Sequence, residues 1–253
     1  MPTTPELCYF ICCTQRSGSY LLCEALENTG LAGRPGETLP ASMEPWHEGF
    51  TLDNYRAAFG AAFSRWTSGG IFGAKLMWPW FEDFTTKLEI LARRTGTPVP
   101  ELIGQIFPNP HYIMLTRRDK VRQTISLAKG DWTRIWRSTD KQQPKRPIEE
   151  LRIDPRVIDT EMRITIEHET SFQRYFQRHQ IPLFPVVYEE LVDRYEETAL
   201  EILDFLGISH PPDLVFGPRK LEKQWDAASD ELLRQYYAAK GMTPVRDSSP
   251  GRR

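Results

Sequence analysis

Apolar residues run along the chain in two rhythms. Short unbroken apolar runs at 7–14, 71–76, 112–116 and 183–187 fit strands buried on both faces. Between them the apolar positions recur at helical spacing. At 19–28, Leu21, Leu22, Ala25 and Leu26 share one face. Further helices are predicted over 53–66 with Asp53 as N-cap, over 81–94 ending near Gly96 and Pro98, and over 119–136. Pro155 opens a long helix to 179, and Gly207 closes one over 191–206. A last helix is predicted behind Ser229 as cap, with Asp230 and Glu231 suiting its positive end. Strands alternating with helices predict an α/β fold, a central parallel sheet flanked by helices. The stretch 30–45 is rich in Gly, Pro and polar residues and reads as a long loop, the kind that carries function in a compact domain. The stretch 138–147 is polar, contains Pro144 and is expected to be mobile. No repeat or linker interrupts the pattern, so one domain is expected over 1–253, with 240–253 as a frayed tail.

Composition narrows the class. Of 253 residues, 40% are hydrophobic and 26% charged, the balance of a globular protein. No apolar stretch approaches the roughly 18 residues of a membrane helix, so no membrane span is expected. The first residues lack the basic and apolar regions of a secretion signal. The four cysteines, Cys8, Cys12, Cys13 and Cys23, crowd into the start of the chain without metal-ligand spacing, and read as free thiols in the reduced cytoplasm with no bound metal. A net charge of −2 argues against a nucleic-acid partner. The charge is uneven, however. Positions 117–146 hold ten Lys or Arg against three Asp, and 149–204 hold fourteen acidic against six basic residues. A basic segment that starts at a strand's carboxyl end suits a polyanionic ligand.

Two motifs carry the chemistry. Thr14-Gln15-Arg16-Ser17-Gly18-Ser19-Tyr20 follows an apolar strand and opens a helix. A helix N-terminus there offers backbone N–H groups and partial positive charge to an anion. Gly18 lets the backbone approach, Ser17 and Ser19 bring hydroxyls, and Arg16 brings a permanent cation with a planar fork. The glycine-lysine pattern of an ATP-binding P-loop is absent. The second motif is Arg117-Arg118-Asp119 at the end of the 112–116 strand, with Ser126 eight residues after Arg118. Arg122 and Ser126 share a helix face, and either Arg117 or Arg118 could point inward there around a second phosphate.

Together these motifs resemble the sulfotransferases that use 3′-phosphoadenosine 5′-phosphosulfate as donor. Val187-Tyr188-Glu189-Glu190-Leu191 and Leu221-Glu222-Lys223-Gln224 are similar to further segments of that class, as is the basic stretch 132–137. The resemblance is closer to the trehalose 2-sulfotransferases, through Gln15 to Ser19, Leu21-Leu22, the run from Thr29 to Glu37, Gly73 to Trp78, and Gln123 to Ser126. It spans about 7–240.

The resemblance implies that Arg16, Ser17, Gly18, Ser19 and Tyr20 hold the 5′-phosphosulfate. Arg117 or Arg118 with Ser126 would hold the 3′-phosphate, and Lys223 would lie in a segment closing over the nucleotide. It implies Glu37 as general base and Gln15 as a sugar contact, and a homodimer acting on a small carbohydrate or glycolipid without a metal. His47 is the rival base, because His is the commonest one. Trp46, Trp78 and Trp80 could wall a sugar, and Lys75 at a strand end could neutralise sulfate. Arg34 stands where the family pattern is acidic, in the sugar-contacting loop, and could pair with Glu37. Two other readings remain open from the residues alone: a P-loop phosphotransferase using ATP and Mg²⁺, and an anion-binding protein without catalysis.

Overall fold

The computed structural model describes residues 4–39, 51–222 and 224–243. Two compact units organise them, Met1–Arg118 with Thr165–Lys220, and Asp119–Ile164 with Leu221–Arg253.

In the first unit, β1 (Leu7–Cys13) is followed by α1 (Ser19–Asn28), α2 (Leu52–Trp66), β2 (Ile71–Met77), α3 (Trp78–Thr95), α4 (Val99–Ile106) and β3 (Pro110–Thr116). The four strands, counting β4 (Leu183–Val187), form one sheet in the order β2-β1-β3-β4. Every pairing is parallel. β1 is apolar on both sides of the pleat because both its faces are covered, and all but its first residue are buried. On one face, Phe10, Tyr112 and Met114 meet Phe59, Phe84 and Phe107 together with Phe172 and Phe176, in a core rich in aromatic rings. The ring pairs are mostly edge-on, such as Phe10 with Phe107 at 5.0 Å and 88°. On the other face, Tyr9 reaches across to donate to the carbonyl of Ala32 at 2.9 Å.

The chain leaves β1 for β2 on one side and later returns to β3 on the other. That reversal opens a crevice between the carboxyl ends of β1 and β3, where open α/β sheets place ligands. The Thr14–Tyr20 loop and Arg117 both lie there.

The second unit contains α5 (Lys120–Thr133), the first part of α6 (Pro155–Arg178) and, after α7 (Tyr188–Asp193) and α8 (Tyr195–Phe205) of the first unit, α9 (Ala227–Ala239). Its core gathers Ile125, Leu151, Ile158, Leu232, Leu233 and Tyr236. Lys129 ties α5 to the start of α9, with its ammonium 2.7 Å from Asp226 Oδ1 and 2.7 Å from Ser229 Oγ.

Several predicted boundaries move. The cap of α2 is Thr51 rather than Asp53, in a reciprocal box with Asn54. Asp226 caps α9, and Ser229 is its partner three residues on. α3 begins at Trp78, ahead of the predicted start, because Pro79 is accepted in a first turn. α4 is not marked in the sequence: two prolines flank its start and suggest a loop, yet one of them occupies the first turn. α5 stops at Thr133 because Arg134 turns left-handed at φ 61. The predicted 191–206 helix is two, divided at Arg194, where φ −122 and ψ 50 leave the helical region.

Candidate active site

β1 ends at Cys13, and the chain turns through Thr14–Ser17 into α1. Ser17 N–H donates to Thr14 O at 3.4 Å and Ser17 Oγ to the same carbonyl at 2.8 Å. The turn forces Arg16 to φ 59, uncommon for a residue with a β-carbon. Gly18 is the N-cap of α1 at φ 97 and has no side chain with which to cap it. The loop thereby presents a helix N-terminus through a glycine, the arrangement that suits an anion.

Ser17 is fully buried and Ser19 nearly so. Both lie close to the Cys13 thiol. Burial pushes that thiol up to about 11, and Lys75, Ser19 and Ser17 pull against the shift.

β3 delivers Arg117 and Arg118 to the neighbouring position. Arg117 Nη1 donates to the carbonyl of Arg16 at 3.2 Å, and its guanidinium lies 4.6 Å from the centre of the Tyr188 ring. Tyr188 also covers Gly18: a β-carbon there would lie 2.2 Å from its Cδ2. Arg117, Tyr188 and the Arg16–Gly18 turn thus form one packed group. Arg118 turns elsewhere. Its backbone N–H donates to Glu189 Oε2 at 3.0 Å, and its guanidinium, largely exposed, pairs with Glu190.

The Glu37 side of the site is built by the sheet edge. Gly36 forms a parallel bridge with Ala74, and Lys75 N–H donates to Gly36 O at 2.7 Å. Thr38 Oγ1 donates to Gly73 O at 3.0 Å. The loop is thereby fixed as a short added rung on β2, with Glu37 at its centre. Lys75 Nζ donates to Glu37 Oε1 at 2.8 Å, and Tyr20 OH donates to the same oxygen at 2.9 Å. The ammonium also sits 4.0 Å from the centre of the Tyr20 ring. The pair is asymmetric: the Lys75 side chain is 4% exposed and that of Glu37 66%. Burial presses the Lys75 pKa down, but Cys13, Glu37 and Tyr20 more than offset this, and it ends above its ordinary value. The lysine is a fixed buried cation, and the carboxylate it holds faces outward.

The remaining expected site residues fall in different places. Gln15 is exposed on the turn after β1. Arg34 is exposed and makes no ion pair with a described residue; the cation on Glu37 is Lys75 instead. Trp78 and Trp80 pack against the aromatic core, Trp78 5.2 Å from Phe172 and Trp80 5.2 Å from Phe84. Ser126 lies on α5 in the second unit. Trp46, His47 and Lys223 lie outside the described residues.

Three features escaped the sequence reading. Tyr188 is one. Another is Glu169 of α6, buried, whose Oε1 accepts from Thr14 Oγ1 at 3.4 Å. The third is the joining of Lys75, Tyr20 and Glu37, which no spacing reveals because it depends on the Gly36–Ala74 register. Among the described residues no helix is long and apolar enough to cross a membrane, and no three His, Cys, Asp or Glu gather as a metal site.

A parallel sheet with an anion-type loop at the carboxyl end of its first strand places the protein among the P-loop-like α/β proteins. Within that class, the model of the Stf0 sulphotransferase family matches residues 8–239. The chain belongs to that family, and with it to the enzymes that transfer sulfuryl groups. It is 28% identical over 257 residues to the trehalose 2-sulfotransferase of Mycobacterium tuberculosis strain Erdman, covering 91% of this chain and 94% of that one. It is 27% identical over 262 residues to the trehalose 2-sulfotransferase of Mycolicibacterium smegmatis, covering 90% and 93%. Among solved structures it is similar to the sulfotransferase domain from the Synechococcus PCC 7002 olefin synthase, at 15% identity and a TM-score of 0.42 over 97% of this chain and 91% of that one. A score that low bears on neither fold nor activity.

Proposed function

We propose that the enzyme moves a sulfuryl group from 3′-phosphoadenosine 5′-phosphosulfate to a hydroxyl of a carbohydrate such as trehalose, with Glu37 as general base. The observation that carries this is the outward-facing Glu37 carboxylate, tied to the first turn of α1 by Tyr20 and to the sheet by buried Lys75. The anion loop and the base are thus joined through the same helix turn. The trehalose 2-sulfotransferase relatives support the acceptor class. The donor supplies an activated sulfuryl group. The acceptor oxygen attacks sulfur, the bond from sulfur to the phosphate oxygen breaks, adenosine 3′,5′-bisphosphate departs, and Glu37 receives the hydroxyl proton. The Arg16–Ser19 turn and Arg117 are placed to stabilise charge that grows on the leaving phosphate. Acceptor contacts are assigned to Gln15, as the resemblance implies, and to Arg34 and Lys75 from their places in the loop and near the strand end; the active form is assigned to a homodimer, as the resemblance implies.

We assign the 3′-phosphate to Arg118, with Ser126 on the strength of their spacing, because Arg117 holds the loop carbonyl and the Tyr188 ring while the largely exposed Arg118 guanidinium would exchange Glu190 for the phosphate. Losing a charge-assisted hydrogen bond costs about 1.5–3 kcal/mol. Arg118→Ala is therefore expected to weaken adenosine 3′,5′-bisphosphate by at least about tenfold in calorimetric titration, and to leave adenosine 5′-monophosphate nearly unchanged. Equal weakening of both would remove Arg118 from that role. Labelled donor with a panel of sugars tests the acceptor: no transfer to any of them would overturn the proposed reaction.

Lys75 yields a pH prediction. A neighbouring cation favours the ionised carboxylate, so removing it raises the pH at which Glu37 becomes a base. In Lys75→Met, which keeps the buried stem, the acidic limb of the rate profile is expected to move to higher pH, with a turnover loss of about 10–100-fold as Glu37 also loses an anchor. A limb that stays in place, or moves lower, would mean that Lys75 does not act through Glu37.

A further inference from the structure

We propose that the second unit carries an oxyanion site of its own, a groove for an organic phosphate or sulfate monoester with an apolar body. The groove is open to solvent and offers about 360 Å³ between α5, the start of α6 and the segment joining them. That space holds one ring or short alkyl group with one oxyanion, and is at the lower end of the range for small-molecule sites.

Its rim is cationic and uncompensated. Lys145, Arg146 and Arg152 line it, and none has a carboxylate partner among the described residues. The two acids on the rim are already engaged. Asp131 faces Arg134 at 3.6 Å, and Asp154 accepts from Arg156 N–H at 2.8 Å and from its Nη2 at 2.9 Å.

The segment bearing Lys145 and Arg146, and the two guanidiniums, are restrained. Lys145 N–H donates to Thr133 O at 2.8 Å, and Trp132 Nε1 donates to Pro147 O at 2.8 Å, so the chain bearing Lys145 and Arg146 is fastened to α5 on both sides. The Arg146 guanidinium lies over the Trp132 ring, 4.6 Å from its centre, a contact that restrains it against α5. Arg152 Nη1 is fixed by the carbonyls of Glu149 and Leu151 at 2.7 and 2.9 Å. Beneath them the floor is apolar, with Leu151 buried and Val157 half exposed. Three like charges gathered over an apolar floor repel one another. An oxyanion attached to an apolar group satisfies both surfaces, through forked hydrogen bonds above and burial below.

Along α5 the groove faces away from Ser126. Ala128 and Trp132 of the groove follow Ser126 by two and six positions on α5, which at about 100° per residue turns them to the far side of the helix. The inference does not rest on the nucleotide reading.

Phenyl phosphate is the probe, titrated calorimetrically into the full chain with adenosine 3′,5′-bisphosphate in excess. One saturable site is expected, with phenol giving no heat and inorganic phosphate binding at least about tenfold more weakly. Arg146→Ala with Arg152→Ala should weaken phenyl phosphate by about tenfold or more. Val157→Glu, at an exposed position in the first turn of α6, should abolish binding by placing a carboxylate in the groove. Circular dichroism and the thermal midpoint of both variants should match the parent, which separates loss of the site from loss of the fold. The proposal is overturned by the absence of saturable heat in the parent, by binding that survives both variants, or by inorganic phosphate binding as tightly as the phenyl ester.

Discussion

Glu37→Gln is expected to lower turnover by about 10²–10⁴-fold, the usual contribution of a positioned acid or base. The substitution keeps the shape of the side chain and an oxygen that accepts from Tyr20 OH and Lys75 Nζ, the two groups that now hold Oε1 at 2.9 and 2.8 Å. It removes the ability to take a proton. Donor affinity should scarcely move, because the donor is assigned to the Arg16–Ser19 turn and the Arg117–Arg118 strand end. The pH profile gives a sharper reading. A carboxylate base works only when ionised, so the parent rate should rise with pH through an acidic limb, and that limb should vanish in the variant. Steady-state rates over a pH series, with the bisphosphate affinity measured alongside, check both points. Near-normal turnover in Glu37→Gln would sink the assignment and move the test to His47. Collapse of acceptor affinity with turnover preserved at saturation would make Glu37 a sugar ligand instead.

The parts of this site legible in the sequence are those where one stretch of chain carries both the element and the chemistry. The apolar run ending at Cys13, the turn through Gly18 and the face formed by Leu22 and Leu26 announce strand, loop and helix together, and the structure shows all three. The end of β3 just before Arg117 was legible for the same reason. Contacts set by register were not. Glu37 came from family resemblance, because nothing local distinguishes it from Glu24, which in the structure accepts from the backbone N–H of Lys220 at 2.8 Å. Its place depends on the Gly36 bridge to β2, and bridges leave no pattern in a loop rich in glycine and proline. Helix caps failed where two candidates stood close together. Thr51 and Asp53 both suit α2, and only backbone geometry decides between them.

The second large effect is expected from a single carbon atom. Gly18→Ala should weaken the donor nucleotide by about 100-fold or more and lower the thermal midpoint by several degrees. Two costs add. At φ +97 an L-residue is strained, by about 1–3 kcal/mol. The added β-carbon would also lie 2.2 Å from Tyr188 Cδ2 and 2.9 Å from Cε2, so the ring must move. It cannot move alone, because the Arg117 guanidinium rests on it at 4.6 Å and reaches the Arg16 carbonyl at 3.2 Å. One substitution thereby disturbs both walls of the crevice between β1 and β3. Gly30→Ala separates the two costs. Gly30 also has a positive φ, +70, but a β-carbon there meets nothing within 4 Å, so it reports backbone strain alone and should leave nucleotide affinity intact. The double variant Gly18→Ala with Tyr188→Leu tests the collision directly. If the ring is the obstacle, trimming it restores part of the lost affinity, and the two effects are less than additive. Additive losses in that cycle, or normal nucleotide binding by Gly18→Ala alone, would show that Tyr188 does not close over the anion loop.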